Sequence, residues 1–313
     1  MLNSSIKKAL PLILCIVFSA CAIHQPDKQS HHILNEYTNN LTDSDRQSAN
    51  GFINFLRSEV YKNGELDNFP EFAVILYDAK PEHILLSLGF NAKRDWVDMD
   101  IGFSSQNRML IVEKTKQWPR FVLNVGLPGA GGVTTQTAEL AALGVKQVLH
   151  IGTAGLLSDR ASGSKILLGE NAYKDGAAVM LSTPDSHGIL KLAKPDLNLA
   201  NRIKRIGNGR VEMATGYTIP IFYYQPSKLL AELVQVGKFN DGPLIDYMEM
   251  EQAPFYQTCQ LARIACASLV IGSDRTFFKN GKIATDYFNH DIQARKAEAL
   301  TIALDVFTEL REL

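Results

Sequence analysis

The residues best able to do chemistry fall in three places along the chain. The stretch Val125–Leu157, VGLPGAGGVTTQTAELAALGVKQVLHIGTAGLL, holds two glycine-rich turns around one helix and an apolar strand. Gly126, Gly129, Gly131 and Gly132 crowd the first turn, and Gly152-Thr153-Ala154-Gly155 makes the second. Glycines let backbone amides come close to a ligand, so such turns form cradles for anions and small molecules. Further on, Glu251 stands where Tyr247-Met248-Glu249-Met250-Glu251-Gln252-Ala253 opens a helix, and Asp274 ends the strand-like run from Ser268. A carboxylate can accept from two neighbouring hydroxyls at once, and a carboxyl within hydrogen-bond reach can protonate a leaving group. Both have plainer readings, because helix starts favour acidic residues and an aspartate often caps a turn. Tyr217, with Phe222, Tyr223 and Tyr224 close behind it, offers flat faces for a ligand ring or for packing in a core or subunit interface.

These residues are positioned by an alternation of strand-like and helix-like segments, the pattern of an α/β fold. Residues 72–77, 109–113 and 121–125 read as strands, and residues 81–88 as a short helix between the first two. A strand over 166–168, helices over 195–206, 227–236 and 251–262, a strand over 267–271 and a long helix over 291–313 complete the series. Phe52, Phe55, Leu56 and Val60 recur at helical spacing within 42–61, after Thr42-Asp43-Ser44 as caps. The expected architecture is a single-domain, three-layer α/β/α fold over residues 42–313 with a mixed, partly parallel central sheet. No internal repeat or low-complexity tract interrupts it.

Composition narrows the function. The 313 residues carry 32 Lys and Arg against 33 Asp and Glu, so no excess of basic charge is present to hold a nucleic-acid backbone. The chain lacks CxxC and HExxH patterns, so no metal or other bound cofactor is expected. Cys259 and Cys266 read as small buried hydrophobes. At the amino terminus, Lys7 and Lys8 precede an apolar run from Ala9 to Phe18, too short to span a bilayer but suited to a signal peptide. Ser19-Ala20-Cys21 then resembles a bacterial lipobox, which implies a signal peptide over 1–20, lipidation of Cys21 and export to a membrane. The polar residues 21–41 would tether that anchor to the fold.

The ordered set of motifs resembles the nucleoside phosphorylase superfamily, which holds purine nucleoside phosphorylases, uridine phosphorylase and related nucleosidases. Its pattern of a Gly-rich turn, a helix ending in Ala-Leu-Gly and a strand ending in Arg-Ile-Gly-Thr-x-Gly corresponds here to Ala142-Leu143-Gly144 and His150-Ile151-Gly152-Thr153-Ala154-Gly155. The resemblance spans roughly residues 70–275. It implies that Met250 packs under a ribose ring and that Glu251 accepts from the ribose hydroxyls. It also makes Asp274 the acid that protonates a purine leaving group, with Ala154, Gly155 and Tyr217 lining the base. Gly129, Gly131, His150 and Thr153 would hold inorganic phosphate as co-substrate. A homo-oligomer acting on a small-molecule nucleoside is the corresponding expectation.

The chain departs from that family where the anion should sit. The family's first strand ends in Gly-Asp followed by Arg, but here the segment reads Tyr77-Asp78-Ala79-Lys80-Pro81-Glu82-His83. His150 stands where the family has arginine, and a neutral histidine does not replace a guanidinium fork. Lys80, Lys93, Arg94 and Arg108 are the candidates to supply the charge from elsewhere. Phosphorolysis is the first expectation, hydrolysis by water on the same fold is the second, and non-catalytic binding of a nucleoside or base is the third.

Overall fold

The structure, a computed structural model, describes residues 47–312 except 93, 102–106, 183–190, 222–224, 240, 281 and 289–290. Cys21, the signal segment, the tether, Lys93 and the aromatics at 222–224 lie outside the described residues.

The strands are β1 (Phe72–Leu76), β2 (Trp96–Asp100), β3 (Arg108–Val112), β4 (Phe121–Val125), β5 (Gln147–Leu156), β6 (Ile166–Tyr173), β7 (Val211–Thr218), β8 (Tyr247–Glu249), β9 (Ala265–Lys279) and β10 (Lys282–Tyr287). The helices are α1 (Gln47–Phe55), running into a π-helical turn at Leu56–Val60, α2 (Pro81–Ser87), α3 (Gly129–Leu143), α4 (Gly176–Met180), α5 (Leu197–Gly207), α6 (Ser227–Val236), α7 (Gln252–Ala262) and α8 (Ile292–Arg311). One ten-stranded mixed sheet runs β10-β9-β6-β7-β8-β5-β1-β4-β3-β2, and β9 also pairs with β5. That extra ladder closes β5, β9, β6, β7 and β8 into a ring, leaving β1–β4 as an open wing.

Helices cover both faces of the sheet. Along β1, Phe72, Val74 and Leu76 join one apolar cluster with α2, α5 and α8, while Ala73 and Ile75 join another with α1, α3 and α7. A strand buried on both sides must be apolar throughout, which is why FAVIL reads as a continuous run. The three-layer α/β/α expectation is met.

Several elements went beyond the sequence reading. β2, β7, β8 and β10 were not anticipated, and β9 continues eight residues past Ile271 to Lys279. β2 alternates apolar and acidic residues on the edge of the sheet, against β3 alone. The β9–β10 hairpin turns at Asn280, whose φ of 53° is left-handed, and Asn280-Gly281 is the dipeptide such turns prefer.

Candidate active site

Strand register lines up the functional residues. Gly155 of β5 pairs with Asp274 of β9 on one side and with Met248 of β8 on the other, and Met248 pairs with Tyr217 of β7. Asp274, Gly155, Met248 and Tyr217 therefore form one row across four strands, near the carboxyl ends of the parallel β5 and β9. A bulge between Ala154 and Gly155 shifts the register there and re-aims the strand. A Cβ added to Gly155 would lie 3.0 Å from Asp274 Oδ2, so glycine is what leaves room for the carboxyl. Ser273 Oγ donates to Asp274 Oδ1 at 2.6 Å. Tyr217 is buried in a cluster with Met248, Met250 and Phe239, and the pKa of its hydroxyl is raised by burial and then by Asp175.

The acidic segment is a built pair of carboxyls rather than a solvated helix start. Glu249 accepts from the amides of Glu251 and Gln252 at 2.5 and 2.6 Å, and Thr218 Oγ1 donates to its other oxygen at 2.5 Å. Glu249 thus takes the place of a capping side chain at the amino end of α7. Burial, followed by the charge of Glu251, pushes its carboxyl up to about 8. Glu251 itself is 8% exposed and accepts from the Gly129 amide at 2.6 Å, and burial raises its pKa above the usual carboxylate value. Met250 reaches the same place, since its methyl lies 4.0 Å from where a Gly129 Cβ would stand. The residues expected at a ribose therefore meet the Gly-rich turn. Glu249 lies inside the acidic motif, yet its role escaped the sequence because nothing in its spacing shows depth.

The expected phosphate ligands fare differently. Gly129 begins α3 with a φ of 83°, but its amide is taken by Glu251, so the anion at that helix end comes from the chain itself. Gly131 is exposed in the first turn of α3, and Thr153 is exposed on β5. Ala154 turns its side chain into a cluster with Leu156, Leu167 and Val270, which leaves its backbone for a ligand.

His150 is 1% exposed, and burial depresses its pKa to about 3, so the ring is neutral at physiological pH. Its Nδ1 pairs with Ser268 Oγ at 2.7 Å, and the ring lies between Tyr77 and Phe255 at centroid distances of 5.0 and 5.4 Å. An uncharged imidazole walled by aromatics does not supply the cation a phosphate dianion needs. Tyr77 occupies the adjoining space, because a Cβ on Gly126 would come within 2.8 Å of three atoms of its ring. Lys296 of α8 fixes that residue by donating to the Tyr77 carbonyl at 2.7 Å and to Asp78 at 2.8 Å. Of the substitute cations, Arg108 is bound to Glu82 and Asp98, and Arg94 to Asp95 at the surface.

The geometry defines a class, an α/β protein with a small acid-lined site at the carboxyl ends of its central strands. The chain belongs to the phosphorylase superfamily, whose family model matches residues 101–307. Solved structures share the fold. A purine nucleoside phosphorylase from Toxoplasma gondii in complex with immucillin-H has a TM-score of 0.59 at 16% identity, covering 79% of this chain and 94% of that one. An AMP nucleosidase from Bacteroides thetaiotaomicron has a TM-score of 0.59 at 16% identity, covering 84% and 97%. A futalosine hydrolase mutant of Helicobacter pylori has a TM-score of 0.55 at 16% identity, covering 76% and 97%. No curated protein matches the chain.

Proposed function

We propose that this protein cleaves the N-glycosidic bond of a nucleoside, with a purine as the leaving base and water as the acceptor. The observation that carries the choice of acceptor is His150, neutral and walled by Tyr77 and Phe255 where phosphate would require a cation. Phosphate, the first expectation from the sequence, is set aside for that reason.

Glu251 and Met250 hold the sugar in this reading. As the C1′–N bond lengthens, the sugar gains oxocarbenium character, and a nearby carboxylate favours that charge. Asp274 protonates the departing base, and Tyr217 belongs to the wall against which the base lies. The pairing of a carboxylate with a separate acid argues for catalysis over simple binding.

The test is release of free base from inosine, adenosine and guanosine by the purified protein, with and without phosphate. Release without phosphate is expected. A strict phosphate requirement would return the protein to phosphorolysis, and binding without release would make it a nucleoside-binding protein. Asp274→Asn should lower purine release about 100-fold or more; unchanged release would remove Asp274 from the role of acid. The proposal extends to a lipid at Cys21 holding the protein on a bacterial membrane and to a homo-oligomer. Mass spectrometry of the amino terminus and light scattering test these; a free Met1 or a monomer would count against them.

A further inference from the structure

Six buried side-chain atoms lack hydrogen-bond partners among the described residues, and four of them gather on three adjacent strands: the Tyr77 hydroxyl just past β1, both amide atoms of Asn124 on β4 and Nε2 of His150 on β5. The other two, Gln147 Oε1 at the start of β5 and Thr215 Oγ1 on β7, stand apart from them. Asn124 and His150 are both register partners of Ile75, two residues before Tyr77, so all three lie on one face of the sheet. Asn124 is 0% and His150 1% exposed. An unmade hydrogen bond at such depth costs about 1–3 kcal/mol, and a native fold keeps several together only where something else completes them. Phe255, the ring packed on His150, offers no polar atom.

The direction of the two rings locates the site. A Cβ on Gly152 would lie 3.2 Å from His150 Cε1 and 3.6 Å from Nε2, so that edge of the imidazole points along β5 towards its carboxyl end. Tyr77 Cδ2 borders the same point at 3.8 Å. The Tyr77 hydroxyl also lies close enough to Glu251 and Glu249 for their charges to add to the effect of burial on its ionisation. The Tyr77 hydroxyl is therefore the member of this group nearest the carboxylate assigned to the sugar, and the orphaned groups together suit a small neutral molecule with a donor and an acceptor.

We propose that Tyr77 Oη and His150 Nε2 hold the nucleophilic water, with Asn124 extending the polar lining behind it. This assignment rests on the hydrolytic reading above. The water oxygen bonds to C1′ as the C1′–N bond breaks, and that electron pair leaves with the base, which takes a proton from the Asp274 carboxyl. The attacking water gives its surplus proton to His150 Nε2, while Nδ1–H is donated to Ser268 Oγ. The products are the free sugar and the free base, and solvent exchange returns the proton from His150 to Asp274. A weak base is sufficient, because water bonded to an oxocarbenium carbon is itself strongly acidic.

Two measurements decide the matter. A high-resolution crystal structure of the substrate-free protein should show an ordered water bonded to both Tyr77 Oη and His150 Nε2. Finding those atoms bonded to side chains instead, or a dry contact between the rings, would overturn the assignment whatever the activity. Tyr77→Phe removes only the hydroxyl, and it should lower kcat about tenfold or more with KM little changed and an unaltered thermal midpoint. A phosphate-free wild type indifferent to Tyr77→Phe would overturn this assignment alone, whereas a wild type that needs phosphate would overturn the hydrolytic reading as well.

Discussion

The Gly129 amide donates to Glu251 Oε1 at 2.6 Å, joining residues 122 apart in sequence. The first turn of α3 is thereby closed by the chain's own carboxylate, and the Met250 methyl lies by the same glycine. Glycine-rich turn and acidic motif, which look like separate features in the sequence, are halves of one device.

Replacing Glu251 should separate its two duties. Glu251→Gln keeps an acceptor for Gly129 but loses the charge, so kcat/KM for base release should fall about 100-fold with small change in stability. Glu251→Ala should also lose about 1 kcal/mol from the urea-derived stability, because the α3 amide loses its partner. Equal activity in wild type and Glu251→Gln would remove the carboxylate from charge stabilisation.

Glu249 should make the fold weaken as pH rises. Its folded-state pKa, raised to about 8 by burial and Glu251, exceeds the ordinary value of 4.5 expected when unfolded. The folded state therefore binds the extra proton, and the stability it contributes is present below about pH 4.5 and lost as pH rises towards 8. Glu249→Gln can still accept from the two amides while offering its NH2 to Thr218, and it should flatten that slope in urea titrations between those limits. A slope unaltered by the substitution would assign it to other groups.

His150 should act in the opposite direction on the acid side. With a folded-state pKa near 3 against 6.5 unfolded, its contribution is present above pH 6.5 and lost as pH falls towards 3. At full slope the loss is about 1.4 kcal/mol per pH unit. Denaturant midpoints of wild type and His150→Asn should converge towards low pH, and parallel curves would show that burial of the neutral ring carries no proton linkage.

Gly126→Ala should cost about 1–3 kcal/mol through overpacking, since the new methyl would meet the Tyr77 ring at 2.8 Å. In the Tyr77→Ala background the same change should be nearly neutral. Additive effects in that double-mutant cycle would show that the cost of the methyl does not arise from the Tyr77 ring.

Apolar runs carried the legible part of the fold. β1, β4 and β5 are buried on both faces, and α3 ends at Gly144 in a left-handed cap, so continuous hydrophobicity and a terminal glycine announced them. β2 and β10 were hidden because exposed edge strands alternate weakly and carry charge. At the site, Glu251, Met250 and Asp274 were legible as motifs, whereas the depth of His150 and Glu249 was not. His150 is covered by Phe255 of α7, 105 residues further on, and Glu249 is enclosed by Thr218 of β7 and the first turn of α7, contacts that no local pattern records. The neutrality of His150 was hidden for the same reason, because a histidine's charge depends on its surroundings rather than on its neighbours in sequence.

The row from Asp274 to Tyr217 crosses three ladders, each spaced by about 4.8 Å, and so spans about 14 Å of hydrogen-bonded backbone. Because the β5–β9 ladder closes these strands into a ring, the row bends round that ring, and β9 also lies two ladders from β7 by way of β6. The separation of the backbones that carry Asp274 and Tyr217 is therefore fixed by the number of strands in the ring, which no single side-chain substitution alters.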